Sequence, residues 1–174
     1  MLVVGYIIWS WWALPPKVFG LGAAPDQPIA FPHTVHVQPD KAGLDCQFCH
    51  RTVAEDAVAS VPAVQQCMYC HKVVEGSTEL AQAEIDKLQQ VAQAGEPINW
   101  RRVHRLPDHT QFVHEPHVRF FTQQGLGTAQ TCATCHGDVG AMVKLEQVRS
   151  LKMGDCVDCH RQYSAPTDCA TCHY

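Results

Sequence analysis

Five segments of the chain repeat one chemistry-bearing spacing, C-x-x-C-H: Cys46-Gln47-Phe48-Cys49-His50, Cys67-Met68-Tyr69-Cys70-His71, Cys132-Ala133-Thr134-Cys135-His136, Cys156-Val157-Asp158-Cys159-His160 and Cys169-Ala170-Thr171-Cys172-His173. They use all ten cysteines. C-x-x-C-H is the attachment signature of haem c. With 11 His in 174 residues, five chance placements of His after C-x-x-C have a probability on the order of one in a million. A disulfide scaffold needs no His after each pair. Zinc ribbons pair two C-x-x-C units about one ion, and five is odd. A thioredoxin-like motif expects one C-x-x-C near a βαβ pattern.

The spacing has a physical reason. Positions i, i+3 and i+4 of a helical turn share one face. Two thiols there can form thioethers to the two haem vinyl groups, and the His reaches the iron from the same side. The sequence therefore predicts five covalent haem c groups. Attachment of this kind occurs outside the cytoplasm, so an extracytoplasmic location is expected.

The opposite face of each iron decides between electron transfer and catalysis. Two strong axial ligands close an iron to substrate, and an empty face invites chemistry. Six His lie outside the attachment motifs: His33, His36, His104, His109, His114 and His117. The supply covers five distal positions, which argues for a relay. His33 with His36 and His114 with His117 are the stronger candidates, as pairs three apart just before a haem site. His104 and His109 are the weaker ones, with hydrogen bonding to a haem propionate as their alternative role, one that Arg101, Arg102 and Arg105 could share. Met is the other common distal ligand and raises the potential. Met142 and Met153 lie between the third and fourth sites. Both could instead be core fillers, as Met68 within an attachment loop is expected to be.

The elements that must position these residues are short. About 35 residues per haem leave little protein to build a core. The expected fold is a mostly α and irregular multihaem cytochrome c, with short helices and long loops wrapped round five haems and almost no sheet. The apo chain should not fold, as small metal domains do not without metal.

Five regions follow. Residues 1–16 are an N-terminal membrane anchor. The apolar, uncharged run 2–14 precedes Pro15-Pro16-Lys17 and carries Trp9, Trp11 and Trp12 as an interfacial belt. The run is shorter than the roughly 20 residues of a spanning helix, so either the natural chain starts upstream of Met1 or a partner subunit completes the span. Residues 17–30, rich in Gly, Ala and Pro, are a linker. Residues 31–76 form a two-haem module and 112–174 a three-haem module. Each opens on F-x-H-x-x-H-V, at Phe31–Val37 and Phe112–Val118, 81 residues apart. Residues 77–111 connect them. Within this connector 78–94 reads as a helix, with Ser77 as N-cap, Leu80, Ile85, Leu88, Val91 and Ala92 on one apolar face, and Gly95 with Pro97 as the stop. The formal charge of −4, made more negative by haem propionates, argues against a nucleic-acid partner.

Phe31–His50 resembles the class III multihaem cytochromes. The resemblance implies that His33 serves the Cys46/Cys49 haem, His36 the Cys67/Cys70 haem, His114 the Cys132/Cys135 haem and His117 the Cys156/Cys159 haem. That family has a further His where this chain reads Ser150-Leu151-Lys152-Met153-Gly154-Asp155. This tilts the fifth distal ligand toward a Met, with Met153 slightly ahead of Met142. Over essentially its whole length the chain is also similar to the pentahaem subunit of the bacterial alternative complex III. The specific part is Trp100 to His109 (W-x-R-V-H-x-L-P-D-H), the two F-x-H-x-x-H-V segments and Met153 to Arg161 (M-G-D-C-V-D-C-H-R). The resemblance implies an electron conduit, with no catalysis of its own, in a membrane complex that oxidises quinol. Integral-membrane and iron–sulfur subunits and a monohaem cytochrome or soluble carrier are the implied partners. Two rival readings remain: a membrane-anchored multihaem quinol dehydrogenase subunit, and a multihaem reductase with one open haem.

Overall fold

The computed structural model describes residues 3–6, 9 and 24–174. The expected membrane segment falls mostly outside these, and residues 3–6 within it are helical and exposed. Among the described residues no helix is long and apolar enough to cross a membrane.

From residue 24 onward the elements are α1 (His33–Val37), α2 (Cys46–Cys49), α3 (Val64–Cys67), α4 (Glu79–Ala94), α5 (His114–Gln123), α6 (Thr128–His136), a 3-10 turn (Val139–Ala141), α7 (Met153–Gln162) and α8 (Cys169–Cys172). Among the described residues there is no strand, only an isolated antiparallel bridge between Thr110 and His173. The helical and irregular architecture of a multihaem cytochrome c is thus present.

Local chemistry explains where the attachment helices begin. Asp45, just before Cys46, caps α2 by accepting from the Gln47 N–H at 2.8 Å. Asp168, just before Cys169, caps α8 by accepting from the Thr171 N–H at 3.2 Å and its hydroxyl at 2.7 Å. Asp155, just before Cys156, reaches back to the Lys152 N–H at 3.0 Å in the first turn of α7. In all three, an acidic side chain satisfies orphan donors at a helix N-terminus and sets the first cysteine on the turn.

The connector helix is α4, and its N-cap is Thr78 rather than Ser77. Thr78 has the extended backbone of a cap and its Oγ1 accepts from the Ala81 N–H at 3.2 Å. Gly95 ends the helix with φ +72°, a left-handed conformation that costs glycine least. The apolar face is narrower than expected. Leu88 is 7% exposed and packs with Ile29 and Val64, flanked by Val91, Ala92, Ile98 and Trp100. Leu80 is 84% exposed, because the first turn projects beyond the core. Val64 opens α3 and Cys67 closes it, so α4 is the wall against which the second attachment segment packs.

A second cluster joins α5 to the end of α7. Val118 and Phe121, three apart on α5, are buried, and Phe120, Phe121 and Tyr163 meet edge to face at 5.2–5.5 Å between ring centroids. Only six apolar side chains are buried among the described residues. That is a small core for this length, and it leaves the histidines and cysteines to organise the interior.

Candidate haem-binding sites

Each attachment histidine has at least one histidine from outside the motifs near it, and at four of them the two rings are in contact. His36 and His71 have ring centroids 6.1 Å apart. His114 and His136 are 6.4 Å apart with planes within 8°. His117 and His160 are 6.0 Å apart, and His109 lies over His173 at 5.4 Å with planes within 21°. His33 is half-buried near His50, and burial first and His50 second oppose its protonation. Two imidazoles on opposite faces of one iron, each bonded at about 2 Å, hold their centroids roughly 6 Å apart. The residues present fit the group: three pairs have that spacing, and one histidine of each directly follows two free thiols three residues apart.

Which ring nitrogen is free follows from the hydrogen bonds. Nδ1 of His50 donates to the Ser60 carbonyl at 2.6 Å, and that of His71 to the Val74 carbonyl at 3.2 Å. Nδ1 of His160 donates to the Pro166 carbonyl, and that of His173 to the His109 carbonyl at 3.2 Å. Among the opposing rings, Nδ1 of His36, His114 and His117 donates to the carbonyls of Pro32 (3.0 Å), Ala57 (2.9 Å) and Val113 (2.7 Å). Each bond fixes a tautomer and turns the lone pair of Nε2 toward the space between the rings. Nδ1 of His33 is buried with no partner.

Burial favours the neutral form of five imidazoles. It pushes His33 and His136 down to about 4, assisted at His33 by His50 and His36, and at His136 by His104, His114 and His50. His36, His104 and His117 are lowered chiefly by the same desolvation. A neutral ring is the ligating form.

The two F-x-H-x-x-H segments have the same geometry. Phe31 meets His33 edge-on at 5.0 Å and stacks on His36 at 4.2 Å. Phe112 meets His114 edge-on at 4.8 Å and stacks on His117 at 4.7 Å. In both, the second His donates to the carbonyl four residues back. The phenylalanine therefore holds two imidazoles at once, one by its edge and one by its face.

The remaining candidates separate by position. His104 contacts His136 on the Nδ1 side: its Nε2 is 3.2 Å from that nitrogen, with centroids 4.3 Å apart and planes nearly perpendicular. Met153 is the first residue of α7 and is 69% exposed. Met142 packs beside Gly137, at the third attachment site. Arg101, Arg102 and Arg105 are exposed.

Sequence reasoning leaves three features unseen. The carbonyl partners of the histidines come from backbone, which spacing does not reveal. The His104–His136 contact spans 32 residues. Cys46 and Cys132 lie beside each other, bringing together attachment segments from the two halves of the chain.

No family model matches the chain. It is similar to the multiheme cytochrome c subunit of a menaquinone reductase from Nitratidesulfovibrio vulgaris, 26% identical over 185 residues that cover 96% of this chain and 84% of that protein.

Proposed function

We propose that the chain is a multihaem c-type cytochrome, a membrane-attached, extracytoplasmic five-haem relay that carries electrons within a quinone-linked oxidoreductase complex. The observation that carries the reading is the ring contact of four attachment histidines with four others, with His33 near His50 at the remaining site. Haem c, when bound, supplies a one-electron iron couple, and two imidazoles per iron leave no position for a substrate.

In this reading the thioethers form at Cys46 and Cys49, Cys67 and Cys70, Cys132 and Cys135, Cys156 and Cys159, and Cys169 and Cys172. His50, His71, His136, His160 and His173 are the proximal ligands. His33, His36, His114, His117 and His109 are the distal ligands, in the same order. His109 takes the fifth position in place of a methionine because its ring lies over His173, whereas Met153 faces outward and Met142 belongs to the third site. The protein makes no catalytic contribution of its own: it holds and orients.

Two directions of flow are open to such a subunit. The linking motifs shared with alternative complex III support quinol oxidation, with electrons passing from an iron–sulfur subunit toward a monohaem cytochrome or soluble acceptor. The curated relative, a subunit of a menaquinone reductase, supports the reverse, from a soluble donor into the quinone pool. Purification of the native complex in mild detergent tests both. Quinol-dependent reduction of the haems supports the first, and haem-dependent quinone reduction the second. Electron paramagnetic resonance of the oxidised protein should show low-spin iron alone, and a stoichiometric high-spin signal would overturn the relay.

A further inference from the structure

The spatial order of the five sites follows from which attachment segments touch, and it differs from their order in sequence. The first and second sites share α1, which carries His33 and His36 one turn apart. Their attachment segments also touch, since the Gln66 side-chain amide donates to the Phe48 carbonyl and Cys49 lies near Cys67. The third and fourth sites share α5 in the same way, through His114 and His117, with Cys135 near Cys159 and Cys156. The fourth and fifth are joined where Nδ1 of His160 donates to the Pro166 carbonyl, three residues before Cys169, with Cys156 near Cys172.

The joint between the halves lies at the first and third sites. Helix α2 packs on α6, which brings Cys46 of the first site beside Cys132 of the third. With haem attached both sulfurs would be thioethers, so this contact would bring the first and third sites side by side. The joint is also built from backbone. The N–H and Nδ1–H of His114 both donate to the Ala57 carbonyl, at 3.1 and 2.9 Å, and the Glu115 N–H donates to the Asp56 carbonyl at 3.2 Å. The orphan donors at the N-terminus of α5 are thus satisfied by the loop that follows the first attachment motif. The imidazole that serves the third site is oriented by the segment that serves the first.

We infer that the five haem sites lie in single file in the order second, first, third, fourth, fifth. The inference rests on the five-haem reading above. The second site, walled by α3 and α4, and the fifth, pinned by the Thr110–His173 bridge and the Gln111 N–H to Cys172 carbonyl bond at 2.8 Å, are the two ends. Electron donors and acceptors then meet the chain at Met68–Lys72 on one side and at α8 on the other. The first and third sites, lowest-numbered in their modules, are interior.

Iron positions in the holoprotein test the order, by iron-edge anomalous diffraction or an electron cryo-microscopy map of the full chain. The expected result is five irons, with the first flanked by the second and third, and the fourth flanked by the third and fifth. Five irons with the second or fifth flanked on both sides overturn the file and leave the five-haem reading standing. Fewer than five irons overturn that reading, and the file with it. A solution measurement gives the same decision. His36→Ala should make the second iron high-spin, and that iron should speed the spin relaxation of one low-spin neighbour. Accelerated relaxation of two neighbours would place the second site inside the file.

Discussion

His104 and His136 meet nitrogen to nitrogen, Nε2 of one 3.2 Å from Nδ1 of the other. The lone pair of His136 that faces His114 is its Nε2, so its Nδ1 carries the proton and His104 accepts it. At the first, second, fourth and fifth sites the equivalent acceptor is a backbone carbonyl. An acceptor on the ligand N–H raises ligand basicity and favours the oxidised iron. His104→Phe should therefore raise one of five reduction potentials and shift one low-spin resonance line, with four unchanged. His104→Gln, which restores an acceptor, should return most of that shift. No change in either variant would reduce the contact to packing.

The fifth distal ligand is decided by three substitutions. His109→Ala should convert one haem in five to high spin, while Met153→Ala and Met142→Ala leave five low-spin centres. A high-spin iron in the Met153 variant would restore the ligand favoured by the class III resemblance.

Much of this was legible in the sequence, and the reason is local. C-x-x-C-H and F-x-H-x-x-H act within one or two helical turns, so spacing alone indicates which atoms share a face. The repeat at Phe31 and Phe112 predicts equivalent placement, and the two segments superpose in both ring contacts and the backward hydrogen bond. What spacing does not carry is distance across the fold. His109 follows no pair motif, and it reaches His173 through a bridge 63 residues away. Met153 has a suggestive position in sequence, but as the first residue of α7 it faces outward. Ser77 and Thr78 are equally good caps by type, and only the backbone angles choose between them.

Leu88 and Leu80 test the narrower face of α4. Leu88→Ala opens a cavity beneath the second attachment segment and should cost about 2–5 kcal/mol of stability. Leu80→Ala removes an exposed side chain and should change stability by less than about 0.5 kcal/mol. Denaturant midpoints of the holoproteins give both values, and equal losses would show that the first turn of α4 is covered in solution.

Five covalent haems per chain are expected from pyridine haemochrome analysis. The same chain made without haem attachment should show no cooperative unfolding transition, because few side chains are buried by polypeptide alone. A cooperative melt of the apo chain would mean that the protein core suffices.

Removal of residues 1–16 should release the chain from membranes with its full haem content. The run is too short for an independent span, so the intact chain should co-purify with integral-membrane subunits. If the intact protein, expressed alone, is a monodisperse monomer without detergent, the anchor reading fails.

The contact between Cys46 and Cys132 bears on how the molecule is made. Two neighbouring thiols are a single two-electron oxidation from a disulfide wherever the compartment supplies an oxidant. A bond there would take one sulfur from the first site and one from the third, leaving both unable to accept a second thioether. The arrangement that serves the finished cytochrome would be a trap if it formed before the haems. A chain that does not fold without haem keeps these two thiols apart until they are taken up.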